Sequence, residues 1–148
     1  MSKIVILVGS MRKNGNTARL AQSFAEGASK NNNVEIVSVA DYNVNPCIGC
    51  NSCFTREGNQ CFQGDDMVQI YDKLRNADIV VIASPVYFYG ISAQLPNLFD
   101  PILMQYQMVL DFFKLESIGT VLVRGVKDIG DIENNSALKE ANELGALM

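Results

Sequence analysis

Gly9-Ser10-Met11-Arg12-Lys13-Asn14-Gly15-Asn16-Thr17 joins two segments of opposite character. Before it stands Ile4-Val5-Ile6-Leu7-Val8, a short β-branched apolar run of the kind that forms a buried parallel strand. After it, apolar residues recur at Leu20/Ala21, Phe24 and Ala28, a helical spacing. The stretch therefore carries the carboxyl end of a strand into a helix N-terminus, where unpaired N–H groups and the helix dipole favour an anion. Ser10, Asn14, Asn16 and Thr17 add short hydrogen-bonding side chains, and Arg12 adds a guanidinium. Gly9 and Gly15 let the backbone come close. A monophosphate suits this loop. A Walker A loop is excluded because no Gly-Lys-Ser/Thr occurs, and the glycine spacing does not fit G-x-G-x-x-G. The competing reading is an ordinary strand-to-helix turn with Thr17 as N-cap.

The chain has 148 residues, which suits one domain with a sizeable core, and its 48% hydrophobic content is that of a globular protein. Its net charge of −4 and lack of a basic cluster argue against nucleic acid and anionic membranes. No apolar run is long enough to span a membrane and the start does not read as a signal peptide, so the expected location is cytoplasmic. Histidine is absent, which excludes Ser-His and Cys-His catalytic pairs and histidine-ligated metals.

Outward from the first loop, 34–39 reads as a second strand at a sheet edge. Asp65-Asp66 can cap a helix with Met67, Ile70, Tyr71 and Leu74 on its apolar face. Ile79 to Ala83 reads as a third, fully buried strand. Ser92 can cap a helix containing Leu95, Leu98 and Phe99, interrupted at Pro101, and 102–115 reads as a buried helix. Gly119 to Val123 reads as a fourth strand and 136–147 as a closing helix. This alternation predicts a doubly wound parallel sheet in three α/β/α layers. Ligands of such sheets bind beyond the strands' carboxyl ends, where strand order reverses. There is no internal repeat or linker, so residues 1–148 form a single domain with a cysteine loop at 47–61. Asp41 follows the second strand and reads as a turn residue.

Pro85-Val86-Tyr87-Phe88-Tyr89-Gly90 puts three consecutive aromatics at that same edge. Flat conjugated ligands stack on such rings, although the same residues could pack in a core or a subunit interface. Phosphate at one end and a flat ring at the other describe a mononucleotide. The motifs Gly9-Ser10-x-Arg12-Lys13-x-Gly15-Asn16-Thr17 and Ser84-Pro85-Val86-Tyr87-Phe88 together resemble those of the NADPH-dependent FMN reductases, which have the flavodoxin-like fold. The similarity covers residues 1 to about 100 and resumes over 115–130. It implies FMN phosphate at Ser10, Arg12, Asn14, Asn16 and Thr17, with Pro85, Val86, Tyr87, Phe88 and Gly90 flanking the flavin ring. The flavin carries the redox chemistry in this family, so no protein group is assigned as catalytic.

Cys47-x-x-Cys50-x-x-Cys53 and Cys61 place all four cysteines within one short loop. Such spacing suits an iron–sulfur cluster better than a zinc ribbon, which pairs two Cys-x-x-Cys knuckles across a longer gap; redox-active free thiols remain an alternative. Within the flavodoxin-like reductases the motif resembles that of the iron–sulfur flavoproteins, which implies a [4Fe–4S] cluster on Cys47, Cys50, Cys53 and Cys61 beside FMN.

The sequence shows four strands where a flavodoxin-like domain has five. Either the Gly119 strand pairs directly with the Ile79 strand or a partner subunit completes the site. The apolar 102–113 segment suits a subunit interface, and the resemblance implies a homodimer. The expected function is an FMN-dependent oxidoreductase of the iron–sulfur flavoprotein type, exchanging electrons with a small-molecule or protein partner. Two alternatives stay open: an NAD(P)H-dependent flavin or quinone reductase without a cluster, and a non-enzymatic metal-binding or interaction module on a shortened scaffold.

Overall fold

The computed structural model describes residues 1–87, 90–91, 110–112 and 114–148. Strand β1 (Lys3–Val8) lies between β2 (Asn33–Ser38) and β3 (Ile79–Ala83), parallel to both. The strand order β2-β1-β3 reverses at β1, so the chain leaves β1 for one neighbour and later returns for the other. The registers bring Val8, Ser38 and Ala83 to the same level, giving one shared carboxyl edge.

The alternation of β1 sorts its side chains to two faces. Ile4, Ile6 and Val8 meet Ala21, Phe24, Ala25 and Ala28 of helix α1 (Asn16–Ala28) and Ala141 of helix α3 (Ser136–Ala146). On the other face Val5 and Val37 meet Ile70 of helix α2 (Met67–Arg75), with Leu7 and Leu74 alongside. This is the expected three-layer arrangement. Ile4 and Ile6 are fully buried, and each contributes about 1.5–3 kcal/mol by leaving water. Asp65 accepts from the N–H of Met67 at 3.0 Å, while Asp66 at the cap position makes no side-chain capping bond, so only the first acid of the pair ties down the start of α2.

Two expectations need correction, and with them one detail of the competing reading of the first loop. Gly119 to Val123 is not a strand of the sheet: among the described residues it pairs neither with β3 nor with any other strand. Val121 and Val123 keep the half-buried alternation of a strand, and Val121 packs against the core. Alternation reports which side faces the core, whereas a strand also needs a neighbour's hydrogen-bonding edge. Nor is β3 fully buried. Ile79, Val81 and Ala83 pack inward, but Val80 is 46% and Ile82 66% exposed. The apolar run reads alike for a strand covered on both faces and one covered on a single face. Finally, helix α1 is not capped by Thr17, because Gly15 holds the cap position and Thr17 lies inside the first turn.

Val86–Tyr87 (β4) pairs antiparallel with Gly90–Ile91 (β5), a small ladder where the turn-rich sequence predicts a loop. Phe88 and Tyr89, the helix at 92–99 with the Pro101 break, and 102–109 of the expected interface helix lie outside the described residues. Of that helix's described end, Leu110 is buried but Phe112 and Leu115 are exposed. Among the described residues no helix is long and apolar enough to cross a membrane.

Candidate flavin and cysteine sites

The Gly9 N–H donates to the Ala83 carbonyl at 2.8 Å, which fastens the loop after β1 to the end of β3. The space beside Gly9 is bounded by Ser84, whose hydroxyl donates to the Pro85 carbonyl at 3.1 Å. The two segments expected to hold a mononucleotide therefore start side by side where strand order reverses. Ser10 is only 4% exposed, and its hydroxyl oxygen accepts the Arg12 N–H at 3.2 Å. The Gly15 N–H donates to the Arg12 carbonyl at 3.1 Å, and a side chain at Gly15 would crowd that carbonyl at 3.3 Å. Glycine there lets the loop tighten directly into α1. No side chain caps the helix, so its first amides stay available to an anion. Arg12 and Asn14 are exposed, while Asn16 and Thr17 are half-buried. Lys13 pairs with Asp41 at 2.5 Å, both more than half exposed. That pair adds little stability, but it places Asp41 in a short turn at the edge, as a turn residue should be.

A third segment, missed by the sequence reading, reaches the same place. Arg12 Nη1 donates to the Lys127 carbonyl at 3.3 Å and Asn16 Nδ2 to the Asp128 carbonyl at 2.9 Å. The Gly130 N–H donates back to Asn16 Oδ1 at 3.2 Å. Arg19 and Glu133 form a two-toothed ion pair at 2.8 and 3.1 Å. The turn-forming residues Gly125, Asp128, Gly130 and Asp131 were the available signal, but they announce a turn and not its neighbour.

The cysteine loop leaves β2 at the same carboxyl edge and is closed by a neck. The Asn43 N–H donates to Asp66 Oδ2 at 2.7 Å, and the Asn45 N–H to Asp65 Oδ2 at 2.8 Å. The Asp66 N–H returns a bond to the Asn43 carbonyl at 3.1 Å. Inside, Gly49 (φ +67°) and Asn51 (φ +59°) turn the backbone left-handed on either side of Cys50. Cys47 and Cys50 are exposed, and Cys53 and Cys61 half-buried. Amide donors already face sulfur: the Gly49 N–H lies 3.4 Å from Cys47 Sγ and Gln63 Nε2 lies 3.8 Å from Cys61 Sγ. Cys50 Sγ lies 2.9 Å from the Ser52 hydroxyl, which with the Ser52 amide pushes the thiol's pKa down. Four reachable thiols with N–H groups facing them fit a thiophilic metal or cluster in donor chemistry. The loop does not gather them here: among the described residues no three cysteines or carboxylates are assembled as a metal-holding set.

Two carboxylates hold these loops by accepting backbone N–H groups. The amides of Lys127 and Asp128 lower the pKa of Asp131, and those of Asn45 and Met67 lower that of Asp65. Each contributes stability above its unfolded value of about 4 and loses it as pH falls through its lower folded value. Acidification from neutral pH to below about 4 should therefore speed amide exchange at Lys127, Asp128 and Asn45 before it affects β1, after correction for intrinsic rates. Equal acceleration in β1 would remove this role from the carboxylates.

Residues 2–111 match the family model of the NADPH-dependent FMN reductases, nearly three-quarters of the chain. The chain belongs to that family. An iron-sulfur flavoprotein of Methanocaldococcus jannaschii is 41% identical over 99 residues, 66% of this chain and 50% of that protein. One from Methanosarcina thermophila is 36% identical over 99 residues, 66% of this chain and 51% of that one. A third, from Archaeoglobus fulgidus, is 28% identical over 130 residues, 88% of this chain and 65% of its own length. The chain spans about half the length of the first two relatives. The family match includes the loop after β1, the cysteine loop and β4–β5, and stops before the 125–133 segment and α3.

Proposed function

We propose that this chain binds FMN at the carboxyl edge of its sheet and serves a flavin-dependent oxidoreductase of the iron–sulfur flavoprotein type. The observation that supports this is the Gly9–Ala83 hydrogen bond, which joins the two segments assigned here to the nucleotide at the order reversal, beside an uncapped α1. Doubly wound sheets bind their ligands at that point. Ser10, Thr17 and the first amides of α1 would hold the phosphate. Arg12 would add a charge-assisted bond, since only one of its five N–H groups is needed for the Lys127 carbonyl. Pro85 to Gly90 would flank the ring. FMN, when bound, supplies the conversion between two-electron and one-electron transfer. Cys47, Cys50, Cys53 and Cys61 would hold a [4Fe–4S] cluster, and the neck at Asp65 and Asp66 would keep their loop at the flavin's edge. NAD(P)H, a quinone or a redox protein would be the exchange partner.

The ungathered thiols favour one second reading, an NAD(P)H-dependent flavin or quinone reductase without a cluster. Anaerobic purification followed by visible absorption, with iron and sulfide assays, separates the two. Flavin bands with about four irons per chain support the first reading, and flavin bands without iron support the second. Protein that stays colourless after FMN and cluster reconstitution sinks both and leaves a non-enzymatic module. Thr17→Val, which removes a hydroxyl at nearly constant shape, should raise the Kd for FMN about tenfold and leave that for riboflavin unchanged. Equal losses for both ligands would mean that Thr17 does not face the phosphate.

A further inference from the structure

Asn16 belongs, by its place in the loop, with the residues expected to hold phosphate, yet the structure gives its side chain other partners. A carboxamide has one oxygen acceptor and two N–H donors. Here Nδ2 donates to the Asp128 carbonyl at 2.9 Å and Oδ1 accepts the Gly130 N–H at 3.2 Å. Both ends of one planar group thus grip the same short segment, as a neighbouring strand would. The oxygen can only repel an anion. One N–H is left over, so direct phosphate contact is the competing assignment.

The segment that Asn16 grips is ordered from within. The Asp131 carboxylate accepts the N–H groups of Lys127 and Asp128 at 2.8 and 2.7 Å. The Asp131 N–H returns to the Asp128 carbonyl at 3.2 Å, and the Glu133 N–H to the Gly130 carbonyl at 3.0 Å. Gly130 (φ +98°) makes the turn, and Ile132, 1% exposed, anchors its far side in the core. What this compact unit needs is a joint to the β1–α1 loop, more than a hundred residues away in sequence. Asn16 supplies two bonds of that joint and Arg12 a third.

We propose that Asn16 is a positioning residue, not a phosphate ligand: it fixes the 125–131 segment against the β1–α1 loop as a further wall of the flavin site. This assignment rests on the FMN reading above. The wall acts on the whole flavin, so its loss is felt with or without the phosphate. A phosphate ligand is felt only with it.

The test measures FMN and riboflavin binding by flavin fluorescence, with hydrogen–deuterium exchange on the same proteins. Asn16→Ala should raise both Kd values together, by about tenfold for two lost hydrogen bonds. It should also release protection at Asp128 to Gly130 while β1 stays protected, which general destabilisation would not do. Asn16→Asp, which keeps an acceptor for Gly130 but loses the donor to Asp128, should give a smaller loss of protection; it also guards against Asn16→Ala failing to fold. The assignment is overturned if Asn16→Ala weakens FMN alone and leaves the 128–130 amides protected. A selective collapse of FMN binding in Asn16→Asp, from carboxylate against phosphate, also overturns it. Wild-type protein that binds neither ligand ends the flavin reading itself and the wall with it, an outcome distinct from the other two.

Discussion

Gly27→Ala and Gly145→Ala should each destabilise the protein by about 3 kcal/mol, lowering its melting temperature by roughly 10 °C. Taken as helix residues, both changes should help, because alanine is favoured over glycine by about 1 kcal/mol in a helix interior. The contact decides the sign. A Cβ at Gly27 would lie 2.0 Å from the Asn142 carbonyl oxygen, and one at Gly145 would lie 2.2 Å from that of Phe24. These obstacles are backbone atoms, so no rotamer change relieves them. Helices α1 and α3 would have to separate, stretching the bonds from Ser23 Oγ to the Leu138 carbonyl at 2.6 Å and from Asn142 Nδ2 to the Ser23 carbonyl at 3.0 Å. The packing of Ala141 against the sheet would loosen with them.

Urea or thermal unfolding checks this, with Glu140→Ala on the exposed side of α3 as a comparison expected to stay within about 0.5 kcal/mol. Gly27→Ala and Gly145→Ala force the same helix pair apart, so once one has opened the contact the other should cost less, and the double variant should cost less than the sum. A neutral or stabilising Gly27→Ala would mean that α3 does not dock there. The result matters beyond stability, because α3 follows the 125–133 segment directly. Undocking it should also free the wall held by Asn16.

How far the sequence could be read follows from how local each signal was. Ile4 to Val8 and Ile79 to Ala83 announced their strands, since a β-branched run bounded by turn residues needs no distant information. The loop after β1 was legible for the same reason, and its place beside Ser84 followed from the rule for order reversals. The exposure of Val80 and Ile82 was not legible, because apolar character does not say which face a neighbour covers. Gly119 to Val123 misled because its alternation reports burial alone. The grip of Asn16 on Asp128 and Gly130 was beyond reach: one carboxamide fits a phosphate and a backbone equally well until the fold brings them together. The glycines at 27 and 145 likewise carry no local mark of the contact they permit.

Replacing Cys50 by serine should abolish most iron uptake on anaerobic reconstitution while shifting the apoprotein's melting temperature by no more than about 2 °C. The fold has little at stake in the thiol. Cys50 is exposed, none of the four cysteines belongs to either core cluster, and their loop closes on itself through Asn43, Asn45, Asp65 and Asp66. The proposed cluster has much at stake, because exchanging sulfur for a hard, weakly acidic hydroxyl would remove the ligand that iron–sulfur chemistry needs. Wild-type protein should reach about four irons per chain, and Cys47→Ser, Cys53→Ser and Cys61→Ser should fail as Cys50→Ser does. Asp65→Ala probes the same site without touching a ligand. It strands the N–H groups of Asn45 and Met67, which opens the neck and weakens the start of α2. All four thiols should still react with a thiol reagent, yet iron uptake should fall, because closing the loop around a cluster would then carry the entropy of joining its ends. Full iron content in Asp65→Ala would show that the cluster can draw the loop together unaided. Full content in all four serine variants would take the cysteines out of the metal site altogether.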